Sequence, residues 1–95
     1  MSQCAIYRYD EEETLPKSAT ILHVERKPGE ANRSVWASVS LADDQVHKPS
    51  AERTGPRVLR LGTGHPVAAD VIVCARFICT QVEGYFVWHF FEVRP

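Results

Sequence analysis

The fold is decided by residues 71–94, which read VIVCARFICTQVEGYFVWHFFEVR. Two strongly apolar runs lie on either side of Glu83-Gly84, and a glycine-containing dipeptide between two β-prone runs is typical of a hairpin turn. If Glu83 and Gly84 form a two-residue turn, Val82 pairs with Tyr85 and the register of the whole hairpin follows. The sequence therefore predicts a C-terminal aromatic hairpin at the centre of the fold.

This register divides the hairpin into two faces. The face predicted to form the core contains Val71, Val73, Ala75, Phe77 and Cys79 beside Phe86, Trp88 and Phe90. We expect Phe77 to pair with Phe90 there. The opposite face is mixed, with Arg76 and His89 as diagonal neighbours. A turn one residue longer would exchange the faces of one strand relative to the other, so the assignment depends on the turn.

Four earlier segments are also predicted to be strands, over residues 4–9, 19–27, 33–41 and 57–61. The clearest period-two pattern is in RSVWASVSL, where Val35, Ala37, Val39 and Leu41 face one way. Trp36 lies on the wetter face, where it either caps a second small cluster or forms part of a contact surface. The pattern predicts an all-β or strand-dominated α+β fold of about six antiparallel strands, in a small barrel or sandwich.

The 95 residues are expected to form a single domain, 1–95, with one modest core. Residues 42–56 (ADDQVHKPSAERTGP) offer little to bury apart from Val46. We therefore predict a long, mobile, charged loop over 42–56, with room for a single helical turn.

The composition argues against several classes of partner. Eleven basic and twelve acidic residues give a net charge of −1, so direct nucleic-acid binding would need a local patch. No apolar run approaches the ~20 residues of a membrane span, and the N-terminus lacks the pattern of a signal peptide. Cys4, Cys74 and Cys79 are predicted to be buried free thiols in a reducing cytoplasm.

The most unusual local sequence is GTGHP, residues 62–66. Gly62 and Gly64 permit positive φ and close backbone approach, while Thr63 and His65 supply hydrogen-bonding side chains. Successive N–H groups in such a loop can hold an anion, although a tight connection between strands is the simpler interpretation. No phosphate-loop lysine follows.

Other candidate sites are weaker. His23, His47, His65 and His89 include no close pair with another His or Cys, so no metal site, cofactor or catalytic residue is predicted. The acidic run 10–13 is interpreted as a solvated loop beside a sheet edge, with a cation site as the alternative. Arg76, inside an apolar run, needs a partner, either a carboxylate such as Glu92 or Glu25 or a bound anion.

Five segments resemble a family of small uncharacterised proteins, described as a domain of unknown function, from tailed bacteriophages and prophages. The segments are Ile6-Tyr7-Arg8-Tyr9; Leu15-Pro16 with Ala19, Ile21, Leu22 and Val24; Val35-Trp36-Ala37 with Val39; LGTGHP at 61–66; and FVWHFFE at 86–92. The charged segment 42–56 departs from the family pattern. The resemblance implies a phage accessory protein acting in the cytoplasm of an infected bacterium, and it implies no catalytic residues.

Four functions follow from these observations. The first is a non-enzymatic protein that binds and blocks a host protein, such as a CRISPR effector complex or another anti-phage defence component. The second is a sponge for an immune nucleotide signal, with a pocket formed at a homo-oligomer interface. Its pocket would contain Gly62, Thr63, Gly64, His65, Arg76 and His89, with Trp36 or Tyr85 stacking on a base. The third is a small hydrolase that uses His65 and His89, and a minor virion component is a further alternative.

Overall fold

A computed structural model of the protein describes residues 3–95. It contains six strands, one short α-helix and one 3₁₀ turn. The elements are β1 (Cys4–Asp10), β2 (Thr20–Glu25), β3 (Ser34–Ser40), the 3₁₀ turn (Ser50–Glu52), β4 (Arg57–Gly62), α1 (Ala69–Val73), β5 (Arg76–Glu83) and β6 (Phe86–Val93).

The six strands form two antiparallel three-stranded sheets. Sheet A has the order β1-β3-β2, and sheet B has the order β4-β6-β5. Every neighbouring pair is antiparallel. The prediction of a strand-dominated fold with six antiparallel strands and a C-terminal hairpin is therefore confirmed.

The inner face of sheet A follows the alternation in β3. Val35, Ala37 and Val39 are fully buried, whereas Trp36 on the other face is half-buried. Leu41 was expected to continue the buried row, but it lies past the end of β3 and is exposed. The period-two pattern thus predicted the buried face as far as the strand itself extends.

The two sheets pack face to face. The buried cluster contains residues of sheet A together with Phe90 from the centre of β6, and Val58 and Ile78 pack against it from sheet B. Glu92, also buried, accepts a hydrogen bond from the backbone N–H of Ile21 at 2.7 Å. Phe90 and Glu92 therefore mark the inner face of sheet B.

The predicted turn of the hairpin is wrong by one residue. Glu83 pairs with Phe86, so the two-residue loop is Gly84-Tyr85. Gly84 has φ +63°, and a hairpin turn with positive φ at its first central position favours glycine there. Val82 consequently pairs with Val87 instead of Tyr85.

A bulge in β5 overturns a second part of the predicted register. The pairing shifts between Phe77 and Cys79, so that Cys79 lies opposite Phe90 and Phe77 lies opposite Phe91. One extra residue in β5 exchanges the inner and outer faces for the residues that precede it in the strand. Phe77 therefore points away from the core and is 54% exposed. The bulge also places Arg76 on the inner face. The prediction that Arg76 and His89 share one face is therefore wrong.

The first strand of the hairpin also begins later than predicted. Residues 69–73 form the short helix α1, and β5 begins at Arg76, which pairs with Glu92. β6 ends at Val93, so an extended strand starting at Val71 would have no β6 residues left to pair with. The helical turn instead satisfies some backbone N–H and carbonyl groups of this segment locally. For example, the N–H of Ile72 donates to the carbonyl oxygen of Ala68 at 3.2 Å.

Residues 42–56 make several contacts with the segment that precedes β2. The Asp43 carboxylate accepts the backbone N–H groups of Ser18 and Gln45, each at 2.9 Å, and Gln45 accepts the N–H of Lys17 at 3.0 Å. Burial alone would raise the pKa of Asp43, but the hydrogen bonds from Ser18 and Gln45 outweigh it and hold the pKa below its ordinary value. The mobile loop over 42–56 stays a prediction, and these contacts favour an ordered segment.

All three cysteines are free, in agreement with the sequence, but the expected burial is wrong for two of them. Cys4 and Cys74 are exposed, and Cys79 is half-buried. Cys4 is the first residue of β1, and Cys74 follows α1 outside the sheets, which explains why neither contributes to the core.

Candidate functional site

The Gly62–Pro66 loop begins with a tight turn. The N–H of His65 donates to the carbonyl oxygen of Gly62 at 3.0 Å, and Gly64 has φ +85°. Positive φ at the third position of a turn favours glycine, as in a type II turn. At Gly62 a β-carbon would lie 2.7 Å from Cε1 of His65, so glycine is needed for the imidazole to fold back over the strand.

The amides of this loop are largely used inside the protein. Gly62 N–H donates to Nδ1 of His65 at 3.2 Å, and Thr63 N–H donates to the carbonyl oxygen of Val87 at 3.2 Å. Among the residues described, the N–H of Gly64 is the only loop amide without a hydrogen-bond acceptor. The loop therefore does not offer the row of free amides that an anion site would need.

His89 is held between two threonines. Its Nε2 lies 2.8 Å from Oγ1 of Thr63, and its Nδ1 lies 2.9 Å from Oγ1 of Thr80. The hydroxyl groups can donate or accept, so both ring nitrogens are satisfied. His89 is therefore a half-buried histidine with both ring nitrogens hydrogen-bonded, and the GTGHP loop fixes its orientation through Thr63.

The two histidines of the site lie on opposite faces of sheet B. His65 packs edge-on against Trp88, with ring centroids 6.0 Å apart, and Trp88 is on the inner face. His89 is the next residue along β6 and points to the outer face. A hydrolase that uses both imidazoles on one substrate would need them together, so this geometry argues against it.

The remaining predicted site residues do not converge on the loop. Arg76 contacts Glu92 at 3.1 Å and the carbonyl oxygen of Ile21, which confirms the expected pairing with Glu92. Trp36 lies in sheet A, opposite residues of β1 and β2. Tyr85 is fully exposed at the hairpin tip. Within one copy of the chain, these three side chains do not share a pocket with the GTGHP loop.

His89 instead lies within a mostly apolar surface, the outer face of sheet B. This face consists of Arg57, Leu59 and Leu61 from β4, Phe77, Thr80 and Val82 from β5, and Val87, His89, Phe91 and Val93 from β6. Phe77 is 54% exposed and Val82 is 73% exposed. Phe77 packs edge-on against Phe91, with ring centroids 5.6 Å apart. Sheet A packs on the opposite face, so sheet A does not cover these side chains.

A family model described as "Domain of unknown function (DUF7352)" matches residues 5–95, which include both sheets except for Cys4, the first residue of β1. The chain belongs to the DUF7352 family. No curated protein and no solved structure is significantly similar to this DUF7352 chain. Across residues 3–95, no helix is both long and apolar enough to cross a membrane.

A buried ion-pair network in the DUF7352 domain was not predicted. Arg33 is 4% exposed and pairs with Glu83 through two hydrogen bonds and with Glu11 at 3.0 Å. Its guanidinium lies 5.8 Å from the Trp88 ring centroid and 5.5 Å from that of Phe90. The partners are 22 and 50 residues away in sequence, so no local spacing indicated the pairs.

The network also gives the acidic run 10–13 a role other than the solvated loop or cation site that was considered. Glu11 lies 3.0 Å from Arg33 and 3.9 Å from Arg60. Glu13 lies 3.9 Å from Arg53 and accepts the backbone N–H of Asp10 at 2.9 Å. Two of these carboxylates therefore form ion pairs with arginines from other segments of the chain.

The network predicts a loss of stability in acid. Hydrogen bonds from Arg33 hold the pKa of Glu83 below its ordinary value, although burial opposes this shift. A carboxylate with a lowered folded-state pKa stabilises the fold fully above its unfolded-state pKa, and the contribution is lost as the pH falls through the folded-state pKa. We expect urea midpoints to fall as the pH drops from the unfolded-state pKa through the folded-state pKa of Glu83, and to fall less in Glu83→Gln. Identical pH profiles for the two proteins would contradict this.

The turn predicts an effect of substitution at Gly64. Gly64→Val places a β-branched residue at positive φ and should cost roughly 1–2 kcal/mol, whereas Gly64→Asn should cost less because asparagine tolerates this conformation. No heavy atom lies within 4 Å of the added β-carbon, so the cost comes from the backbone conformation alone. Urea unfolding of both variants measures it, and equal losses would contradict the assignment. Unchanged partner binding by folded Gly64→Val would remove the loop from the site.

Proposed function

We propose that this DUF7352 protein is a non-enzymatic phage accessory protein that binds and blocks a host protein in the cytoplasm of the infected bacterium. The observation that supports this function is the outer face of sheet B. Contiguous exposed apolar patches of about 300–600 Å² on monomeric proteins are often functional. The resemblance to phage proteins supports a defence component, such as a CRISPR effector complex, as the target.

The dimensions of the face favour a protein target over a second copy of the chain. Three strands of up to eight residues cover roughly 26 Å by 14 Å, or about 360 Å². A stable interface buries about 800 Å² on each partner. A second copy stacked sheet on sheet would cover only this footprint, whereas a concave partner would also reach Tyr85 at the hairpin tip and Val73 of α1, both highly exposed.

The polar groups of the face are compatible with burial under such a partner. His89 and Thr80 are the polar side chains at its centre, and they bond to each other at 2.9 Å. The other ring nitrogen of His89 is satisfied by Thr63. A partner that covers the face would therefore leave neither nitrogen without a hydrogen bond, which avoids the main cost of burying polar groups.

Affinity capture from lysate of the bacterial host, followed by binding of the purified captured protein, tests the proposal. The double variant Phe77→Lys/Val82→Lys places two charges on the face and should abolish both capture and direct binding. The matched control Ile6→Lys/Leu22→Lys changes two exposed apolar residues of sheet A and should retain both. Equal binding by the two variants, or self-association in place of a host protein, would overturn the proposal.

The immune-nucleotide sponge is the second candidate, and one observation favours it. Phe86 is exposed and stacks on Trp88 with ring centroids 5.7 Å apart, and the Arg60 guanidinium lies 4.5 Å from the Trp88 ring. An aromatic surface beside an arginine can stack on a base. Melting temperatures measured with a panel of bacterial signal nucleotides test it, because a ligand at 100 times its Kd stabilises by about 2.7 kcal/mol. No shift with any nucleotide would remove this candidate.

A further inference from the structure

A separate cleft lies at the opposite end of sheet B from the GTGHP loop. Arg57 begins β4 and Gly62 ends it, so the two sites are roughly 17 Å apart. The cleft has a volume of about 440 Å³, within the range of small-molecule sites. It is lined by Thr14, Arg53, Thr54, Gly55, Arg57, Val93, Arg94 and Pro95. We call it the arginine cleft.

Two of its arginines are oriented by backbone carbonyl groups. Arg53 donates from Nε to the carbonyl oxygen of Lys48 at 2.8 Å, and Arg94 donates from Nη2 to that of Ala19 at 2.6 Å. Carbonyl oxygens fix the position of a guanidinium without cancelling its charge. The positive groups are therefore held in place before any ligand arrives, which lowers the entropic cost of binding.

The positive charge of the cleft is only partly balanced. No acidic side chain is among its lining residues. Glu13 approaches Arg53 at 3.9 Å, and Glu92 approaches Arg94 at 3.6 Å while also contacting Arg76 at 3.1 Å. Among the described residues, no carboxylate lies within 4 Å of Arg57. Three guanidinium groups thus share two carboxylates as ion-pair partners, and one of these carboxylates also pairs with Arg76.

The wall of the cleft supplies a hydroxyl donor and a fixed backbone. Gly55 N–H donates to the carbonyl oxygen of Leu15 at 2.9 Å, and Leu15 N–H donates to that of Pro56 at 3.0 Å. The Thr54 hydroxyl accepts a hydrogen bond from Nε2 of Gln45 at 2.9 Å, so its own proton remains free to donate. Val93 and Pro95 supply apolar contacts on the same cleft.

We propose that the arginine cleft binds a phosphate monoester carried on an apolar group. Arg57 and Arg94 contact the phosphate oxygens, because guanidinium pairs with phosphate through paired, charge-assisted hydrogen bonds. The Thr54 hydroxyl donates a further hydrogen bond, and the apolar group packs on Val93. Arg57 and Val93 belong both to this cleft and to the edge of the proposed docking face. The test variants of that face alter Phe77 and Val82 and leave the cleft lining unchanged.

Titration of the ¹⁵N-labelled protein with phenyl phosphate and with inorganic phosphate, at constant ionic strength, tests the proposal. We expect saturable amide shifts centred on Thr14, Thr54, Gly55 and Arg94, with phenyl phosphate saturating at the lower concentration. Phenol alone should produce no such shifts. Tighter binding of inorganic phosphate, or shifts that do not saturate, would overturn the proposal.

Arg57→Ala provides the decisive variant because Arg57 is exposed and its side chain makes no hydrogen bond or ion pair with any other residue of 3–95. It should raise the Kd for phenyl phosphate about tenfold or more. Lys27→Ala removes the same charge from a loop outside the cleft and should leave the Kd within about twofold. Equal weakening in both variants would show a general charge effect and would refute the cleft.

Discussion

Arg33→Met is expected to lower the free energy of unfolding by about 3–5 kcal/mol, the largest effect of any single substitution considered. Arg33 is almost fully buried and bonds to Glu83 and Glu11, whose side chains are only 15% and 12% exposed. Removing the guanidinium would leave two carboxylates in a poorly solvated site without their main partner. Urea unfolding at neutral pH measures the loss.

Two companion variants identify the cause. Arg33→Lys should recover only part of the stability, because one ammonium group cannot reproduce the paired hydrogen bonds to Glu83 together with the bond to Glu11. In the Arg33→Met background, Glu83→Gln should cost less than in the wild-type protein, since the charge it removes is already uncompensated. A loss below 1 kcal/mol for Arg33→Met, or additive effects in the double variant, would contradict the network.

Gly55→Ala is expected to cost about 3 kcal/mol, the upper part of the range for overpacking. A β-carbon at this position would overlap the carbonyl oxygens of Leu15 and Pro16 and lie 2.5 Å from the carbonyl carbon of Pro16. All these atoms belong to backbone, so the 14–16 segment would have to move. That movement would weaken the hydrogen bond from Gly55 N–H to Leu15.

Gly29→Ala is the matched control for Gly55→Ala, because Gly29 is needed for its backbone conformation alone. Gly29 has φ +84° and no heavy atom within 4 Å of an added β-carbon. Its replacement should cost roughly 1 kcal/mol through backbone strain, less than Gly55→Ala. Urea midpoints of the two variants compare the effects directly. A smaller loss at Gly55 would show that the 53–56 segment is not packed against 14–16 as described.

The sequence predicted the fold where the signal was local. In β3 the alternation alone identified Val35, Ala37 and Val39 as buried. In the hairpin the apolar runs located the strands, but their register depended on where Gly84 sits in the turn and on a bulge in β5. A bulge leaves no period-two signature, because it inserts one residue into a run that is apolar on both faces.

Only part of the candidate site could be predicted, because some of its contacts follow from the order of the strands and others do not. The contact between the GTGHP loop and His89 joins residues of two adjacent strands, so the order of the strands brings them together. Arg76 was assigned to the wrong face by the missed bulge. The ion pairs of Arg33 could not be predicted from the sequence, since its partners lie in distant segments that meet only when the two sheets pack.

The arginine cleft could not have been predicted from spacing either. Arg53 lies in the segment 42–56 that was expected to be mobile, Arg57 begins the following strand, and Arg94 follows the last strand. Their approach depends on the close packing of Gly55 against Leu15 and on the pairing of β4 with β6. Both are consequences of the tertiary fold.

We propose that the outer face of sheet B is a docking surface for a host protein. Isothermal titration of the purified captured partner with the wild-type protein and the two double variants tests it most directly. We predict that Phe77→Lys/Val82→Lys raises the Kd at least about 100-fold, since each position lies within the proposed contact. Ile6→Lys/Leu22→Lys should remain within about threefold of wild type. A Kd for Phe77→Lys/Val82→Lys equal to that of this control would contradict the claim.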